Sequence, residues 1–318
     1  MSYSESETFE LALPGHSTRK PSALGPENQF LTAKCLRFVY LRTSHFSFVF
    51  LHPIAEKLVL QRCTWDMLAG MVRDLRQEKV RIIHLAESYV AYWGFEDIMT
   101  AFPNLRELVY YRPCDEEFSQ YHEVGDVFRK FGQGLESLKF FNDALMPFET
   151  PLGSLQSLVS LKTLEIPLEM LIGFRPNPRE GYYEYLDAAF DPDEVLDYDE
   201  EHEAWGDWSF LELLPTSLEK LTIDLESPKT DVYFNTYERY GVKFEELLIA
   251  DRRFDKLEYV RAPYIDVVAA KLRGRLTGWV LADRDTIKRV PRTVPTPDAV
   301  PLVVDVSDES TTDCGEGA

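Results

Sequence analysis

Four carboxylates fall within the short stretch Asp191-Pro-Asp193-Glu194-Val-Leu-Asp197, the ligand type a hard cation such as calcium takes. The stretch lacks the glycine and the spaced ligands of an EF-hand, so the expected reading is a solvated acidic loop. Gly132-Gln-Gly134-Leu-Glu-Ser137 offers two of the three glycines of a dinucleotide loop. It leads into a strand pattern rather than a helix, which makes a turn the better reading. His16, His45, His52, His84, His122 and His202 include no i, i+4 pair for zinc. Cys35, Cys63, Cys114 and Cys314 are never closer than 28 residues, which excludes a C-x-x-C metal or redox pair. Neither G-x-x-x-x-G-K-S/T nor G-x-S-x-G occurs. The sequence is therefore read as no enzyme, with no cofactor and no metal; an enzyme with an unrecognised active site is the rival class.

Side chains suited to contact rather than reaction are easier to find. Tyr111 and Phe141, with Val109, His84 and Lys139, form the candidate partner-binding set. Adjacent exposed aromatics are common anchors of protein interfaces. Their grouping depends on a repeat that sets which side chains point outward.

That repeat is apolar-x-x-apolar-x-apolar, starting at Ala55, Val80, Leu105, Leu135, Leu161 and Leu218. The first four intervals are 25, 25, 30 and 26 residues and the last is 57. Intervals of about 20–29 residues are those of leucine-rich repeats. In a strand, alternate residues share a face. If the leucines point inward, the third, fifth and seventh positions point outward. The fifth positions are Val59, His84, Val109, Lys139, Glu165 and Thr222. The seventh are Gln61, Ala86, Tyr111, Phe141, Pro167 and Asp224. Tyr111 and Phe141 then stand on neighbouring strands, about 5 Å apart. Either a partner covers them or the chain's own apolar segment Val300-Pro-Leu-Val-Val304 does.

Helical signals fall between the strands. Thr64 is placed to cap a helix whose stripe is Leu68, Met71, Val72 and Leu75. A short helix is expected near Phe95–Phe102, and Val124, Val127, Phe128 and Phe131 mark another. The connection Leu152–Leu158 is shorter. Leu36–Leu41 is read as a first strand or cap, and Phe46, Phe48 and Phe50 as a short strand. Phe244–Ile249 fits either a strand or a helix; the helix is preferred, which makes Leu257–Ala262 the last strand. A closing helix is expected near Ile265–Leu281. The 57-residue interval holds an insertion and room for one poorly patterned repeat. These elements predict an α/β fold: a leucine-rich-repeat-like solenoid with a parallel concave sheet, helices on the convex side, and irregular repeats.

The net charge of −20 is unevenly placed. Tyr183–Asp207 holds eleven acids and no Lys or Arg, and Pro291–Ala318 carries −5, leaving −4 for the remainder. The predicted organisation is a disordered arm at 1–30, a repeat domain at 31–288 with an acidic insertion at 176–208, and a disordered acidic tail at 289–318. Nucleic acid is not an expected partner, because its binding needs a surplus of Lys and Arg. The longest apolar run, Phe46-Ser-Phe48-Val-Phe50-Leu51, falls short of the roughly 20 residues of a membrane helix. With a polar, acidic start at Met1–Glu7, the expected location is cytoplasmic or nuclear, with no membrane partner.

Phe102-Pro-Asn-Leu105-Arg-Glu-Leu108, Ser160-Leu-Lys-Thr-Leu164-Glu-Ile-Pro-Leu168 and Leu214-Pro-Thr-Ser-Leu218-Glu-Lys-Leu221-Thr-Ile223 resemble the degenerate leucine-rich repeats of fungal F-box-like proteins. The resemblance spans roughly Leu36 to Leu281. It implies a protein–protein interaction module that captures substrates for a ubiquitin ligase. The F-box that would recruit the ligase adaptor is not found: Leu13-Pro14 is followed by Gly15-His-Ser-Thr, with no helical stripe. A repeat domain that has lost its F-box is therefore a further alternative. The family's usual Asn or Cys eight positions after the first Leu is here Cys63, Ser88, Pro113, Asp143, Glu169 and Glu226, which predicts an irregular stack.

Overall fold

The structure is a computed structural model. It describes residues 8–12, 34–39, 54–65, 76–112, 121–142, 151–172, 209–224, 236–249, 253–263 and 265–290. The Phe46–Phe50 strand, the Leu68–Leu75 stripe, the acidic insertion and the tail segment Val300–Val304 lie outside these residues.

The pattern of apolar residues at every second position yields short strands. These are β1 (Thr8–Ala12), β2 (Cys35–Val39), β3 (Lys57–Gln61), β5 (Ile82–Ala86), β7 (Glu107–Arg112), β8 (Ser137–Asn142), β9 (Thr163–Pro167), β10 (Lys220–Asp224) and β11 (Tyr259–Arg261). They follow one another in the sheet in chain order, each pairing parallel with the last. An antiparallel hairpin, β12 (Trp279–Asp283) and β13 (Thr286–Arg289), closes the sheet, with β13 against β11. Two further short strands, β4 (Thr64–Trp65) and β6 (Tyr89–Val90), pair with each other. Parallel neighbours require a crossover between them. Among the described residues these include α1 (Tyr92–Ala101), α2 (Tyr121–Phe131), α3 (Leu168–Ile172), α4 (Phe210–Leu213) and α5 (Thr236–Ile249); α6 (Ile265–Lys271) precedes the hairpin. The chain is thus an α/β protein with a large, mostly parallel sheet. No helix among the described residues is long and apolar enough to cross a membrane.

Register follows the sequence repeat. Leu58 pairs with Ile83, Ile83 with Leu108, Leu108 with Leu138 and Leu138 with Leu164. One face of the sheet is sealed: Leu58, Leu60, Ile83, Leu85, Leu108, Tyr110, Leu138, Phe140, Leu164 and Ile166 are all buried. Behind β7 and β8 lies an aromatic cluster in which the Phe95 ring of α1 sits 5.3 Å from Tyr110, 5.9 Å from Phe128 and 6.1 Å from Phe140. Helix α2 joins it through its buried stripe Val124, Val127 and Phe128. Glu123 in its first turn and Arg129 and Lys130 in its last suit the helix dipole. The α2 helix approaches the Leu152 strap so closely that only glycine fits at position 125: a Cβ there would lie 1.9 Å from the Leu152 carbonyl oxygen.

Several expectations are corrected. Thr8–Ala12, inside the arm read as disordered, is a strand, because the free edge of β2 supplies partners for all five residues. Thr64 lies in β4, paired with Tyr89, and the helix it is expected to cap falls outside the described residues. Phe244–Ile249 is helical, within α5, as preferred. Tyr259–Arg261 is not the last strand, and the closing helix stops at Lys271, since Gly274 and Gly278 adopt φ of 87° and 81° and turn the chain into the hairpin. After that hairpin the Val290 amide donates to the Gly278 carbonyl. Across the 57-residue interval β9 and β10 pair directly, and residues 173–208 lie outside the described residues.

Candidate binding face

The sheet's other face stays half-open. Its side chains fall into rows that cross the strands. One row runs Arg37, Val59, His84, Val109, Lys139, Glu165, Thr222 and Arg261. A second runs Lys57, Ile82, Glu107, Ser137, Thr163, Lys220 and Tyr259, and β13 extends it with Lys288. The third includes Gln61, Ala86, Tyr111 and Phe141.

All five predicted residues come together here. Tyr111 and Phe141 are direct cross-strand neighbours with ring centroids 6.3 Å apart and planes tilted by 34°. Both are half-buried. Each is held from behind by the preceding residue, since Tyr110 and Phe140 point into the core with their rings 5.5 Å apart. Val109 stands between His84 and Lys139 in the adjacent row. Pro167, expected to face outward, is instead buried, because the chain passes straight from β9 into α3. The side chain of Asp224 lies outside the described residues.

Charges on this face are partly matched. His84 Nε2 lies 2.8 Å from Glu107 Oε1. That hydrogen bond, aided by the charges of His84, Lys57 and Lys139, outweighs burial and holds the Glu107 carboxyl below its usual range. Lys139 Nζ sits 3.1 Å from Glu165 Oε2, and Arg37 donates to Gln61 Oε1. Just before the strands, Glu136 bridges Arg106 and Lys162, each 2.9 Å away. The hydrogen bond from Lys162, more than its charge or that of Arg106, lowers the Glu136 pKa.

Spacing alone missed three features. Glu107 occupies the third position of its repeat, but spacing does not mark its pairing with His84. Tyr259 and Lys288 depend on β11 and the hairpin, whose signal was the Asp283-Arg-Asp285 turn before the alternating Thr286-Ile-Lys-Arg. Ser88 takes over the bonding expected of Asn or Cys. Its buried hydroxyl donates to the Leu60 or Ala86 carbonyl, each 3.0 Å away, and accepts from the Cys63 amide at 3.1 Å. Cys63 and Ser88 thus join two repeats at equivalent positions. Arg62 and Glu87 beside them share a left-handed backbone (φ 52° and 47°) and an ion pair of 2.5 Å. Among the described residues no group of three or more His, Cys, Asp or Glu could hold a metal ion. No family model matches the chain, and no curated protein matches it in sequence.

Proposed function

We propose that the chain is a protein-recognition module. In this reading it is a leucine-rich-repeat-like solenoid, with the parallel sheet as its concave face and the helices on the convex side. Strands that succeed one another at the register of the sequence repeat support the architecture. The observation that carries the function is the Tyr111–Phe141 pair, fixed on an open sheet face by the core aromatics behind it. Large aromatics with few rotatable bonds lose little entropy when a partner covers them. The partner is a protein, and the role is substrate capture resembling that of the repeat half of F-box-like proteins, in the cytoplasm or nucleus and without turnover. A ubiquitin-ligase adaptor is not proposed, because its docking motif is not read in the sequence.

Affinity purification from the native source tests this, with the Tyr111→Ala/Phe141→Ala double variant as the second bait. Loss of a captured protein with an unchanged melting temperature is the expected outcome. A fall in melting temperature with capture intact would sink the proposal.

A further inference from the structure

The two ends of the sheet differ. At one, β1 covers the edge of β2 along all five of its residues. At the other, β12 is the outermost strand, and among the described residues only β13 pairs with it. The Val290 amide donates to the Gly278 carbonyl, and Val280 lies opposite Lys288. Bonded pairs alternate in an antiparallel ladder, so Gly278 and Val280 face β13 while the backbone groups of Trp279 and Leu281 face outward. This edge is apolar: Val280 is 43% exposed, and Leu281 is half-buried against the core. Such edges are normally covered or blunted, because they template pairing with another chain. A register shift between Leu281 and Asp283 blunts the far end of β12 and leaves Trp279–Leu281 regular. Trp279 is buried, with the Arg289 guanidinium 4.9 Å from the ring centre, yet its indole N–H has no acceptor among the described residues. A buried donor without an acceptor is costly, and a further segment at this edge would supply one.

We propose that the chain's own segment Leu302-Val-Val-Asp-Val306 adds to β12 as an edge strand, as β1 does to β2. The place where the described chain stops favours this occupant. Val290 lies beside Gly278, at the start of β12. Pro291, Pro295, Pro297 and Pro301 cannot donate to a ladder, and Leu302–Val306 is the first apolar stretch beyond them. The eleven residues Pro291–Pro301 reach about 34 Å at about 3.1 Å each, twice the roughly 17 Å length of β12. Both ends of β12 are therefore within reach of the segment. Its alternation also fits. Leu302, Val304 and Val306 share one face, suited to the side of Trp279 and Leu281, and Val303 falls beside the exposed Val280. A second copy of the chain is the poorer occupant. A tethered strand acts at about millimolar effective concentration, whereas two chains of net −20 repel each other. This pairing goes beyond the recognition reading and leaves the Tyr111–Phe141 face to the partner.

Residue-resolved amide hydrogen exchange on the full chain tests this, with Val303→Pro/Val304→Pro as the variant. Adjacent prolines remove a ladder donor in whichever register the segment adopts. In the parent, the Trp279 and Leu281 amides are expected to be protected although they face away from β13. In the variant they should exchange at least about tenfold faster. The amides of Leu108, Leu138 and Leu164 should stay as slow as in the parent, showing that the body remains folded. Leu302→Asp/Val304→Asp keeps every donor but charges the inner face of the segment, and should speed the same two amides. Rapid exchange at Trp279 and Leu281 in the parent overturns the proposal, as does protection that both variants leave unchanged. Protection that grows with protein concentration would assign the edge to a second copy, and overturns it as well. Partner capture through Tyr111 and Phe141 is read by a separate assay, so the recognition reading stands or falls independently.

Discussion

Replacing Gly125 by Ala inverts the usual effect of that substitution. In an exposed helix interior, Gly→Ala stabilises by about 1 kcal/mol, through backbone entropy. In α2 the added methyl would meet the Leu152 carbonyl oxygen at 1.9 Å and its carbon at 2.8 Å. Ordinary van der Waals contact needs the helix and the strap to separate by more than about 1 Å. The strap resists. Leu152 is fully buried, its amide donates to the Met170 carbonyl at 2.9 Å, and its carbonyl accepts from Arg129 Nη1 at 2.6 Å. The next residue, Gly153, is locked at φ 75°. Overpacking of this kind costs about 1–3 kcal/mol, and loosening the charged Arg129 bond adds about 1.5–3 kcal/mol. Less the helical gain, the expected net loss is about 1.5–5 kcal/mol. Urea unfolding followed by far-ultraviolet circular dichroism should show it as a lower midpoint at unchanged slope. Gly134→Ala is the control: the nearest atom to its Cβ is the Leu105 carbonyl oxygen at 3.8 Å, so its stability should move by less than about 1 kcal/mol. A Gly125→Ala protein as stable as the parent would refute the close approach of α2 to the strap.

Phe140→Ala and Phe141→Ala should differ sharply although the residues are adjacent. The first empties a buried aromatic cluster and should cost about 3–5 kcal/mol in denaturant unfolding; the second should cost less than about 1.5 kcal/mol. Equal costs would mean that β8 has slipped by one residue, which exchanges its faces. Ser88→Ala should destabilise by about 1–3 kcal/mol, because the buried Cys63 amide loses its acceptor; Ser88→Thr should recover part of the loss in the same titration. Glu107→Gln tests the His84 pairing. The Glu107 carboxyl is held below its ordinary value of 4.5, so its contribution is complete above that pH and is lost as pH falls through the lower folded value. Solvent exposure of about a third limits the contribution to a few tenths of a kcal/mol. The stability difference between pH 7 and pH 3 should shrink by that amount in the variant; an unchanged difference would count against the pairing.

The repeat itself was legible because its signals are local. Leucines at fixed offsets mark which face of each strand is buried, and the stripe Val124, Val127, Phe128 marks α2, without any knowledge of neighbours. The same offsets sufficed to bring Tyr111, Phe141, Val109, His84 and Lys139 onto one face. What stayed hidden depends on segments meeting across long separations. The pairing of Thr8–Ala12 needs the free edge of β2, and Thr64 becomes a strand only because Tyr89 is beside it. Ser88 does the work of an Asn because the carbonyl of Leu60 falls within reach of its hydroxyl. Lys288 stands next to Tyr259 only after the hairpin folds back. By itself the sequence determined the phase of each strand, because side-chain alternation is a property of the strand alone. Tertiary structure decided which strands are neighbours, and with that which charges share a face, because pairing between the parallel strands is a contact between residues that the chain separates by 22 to 57 positions.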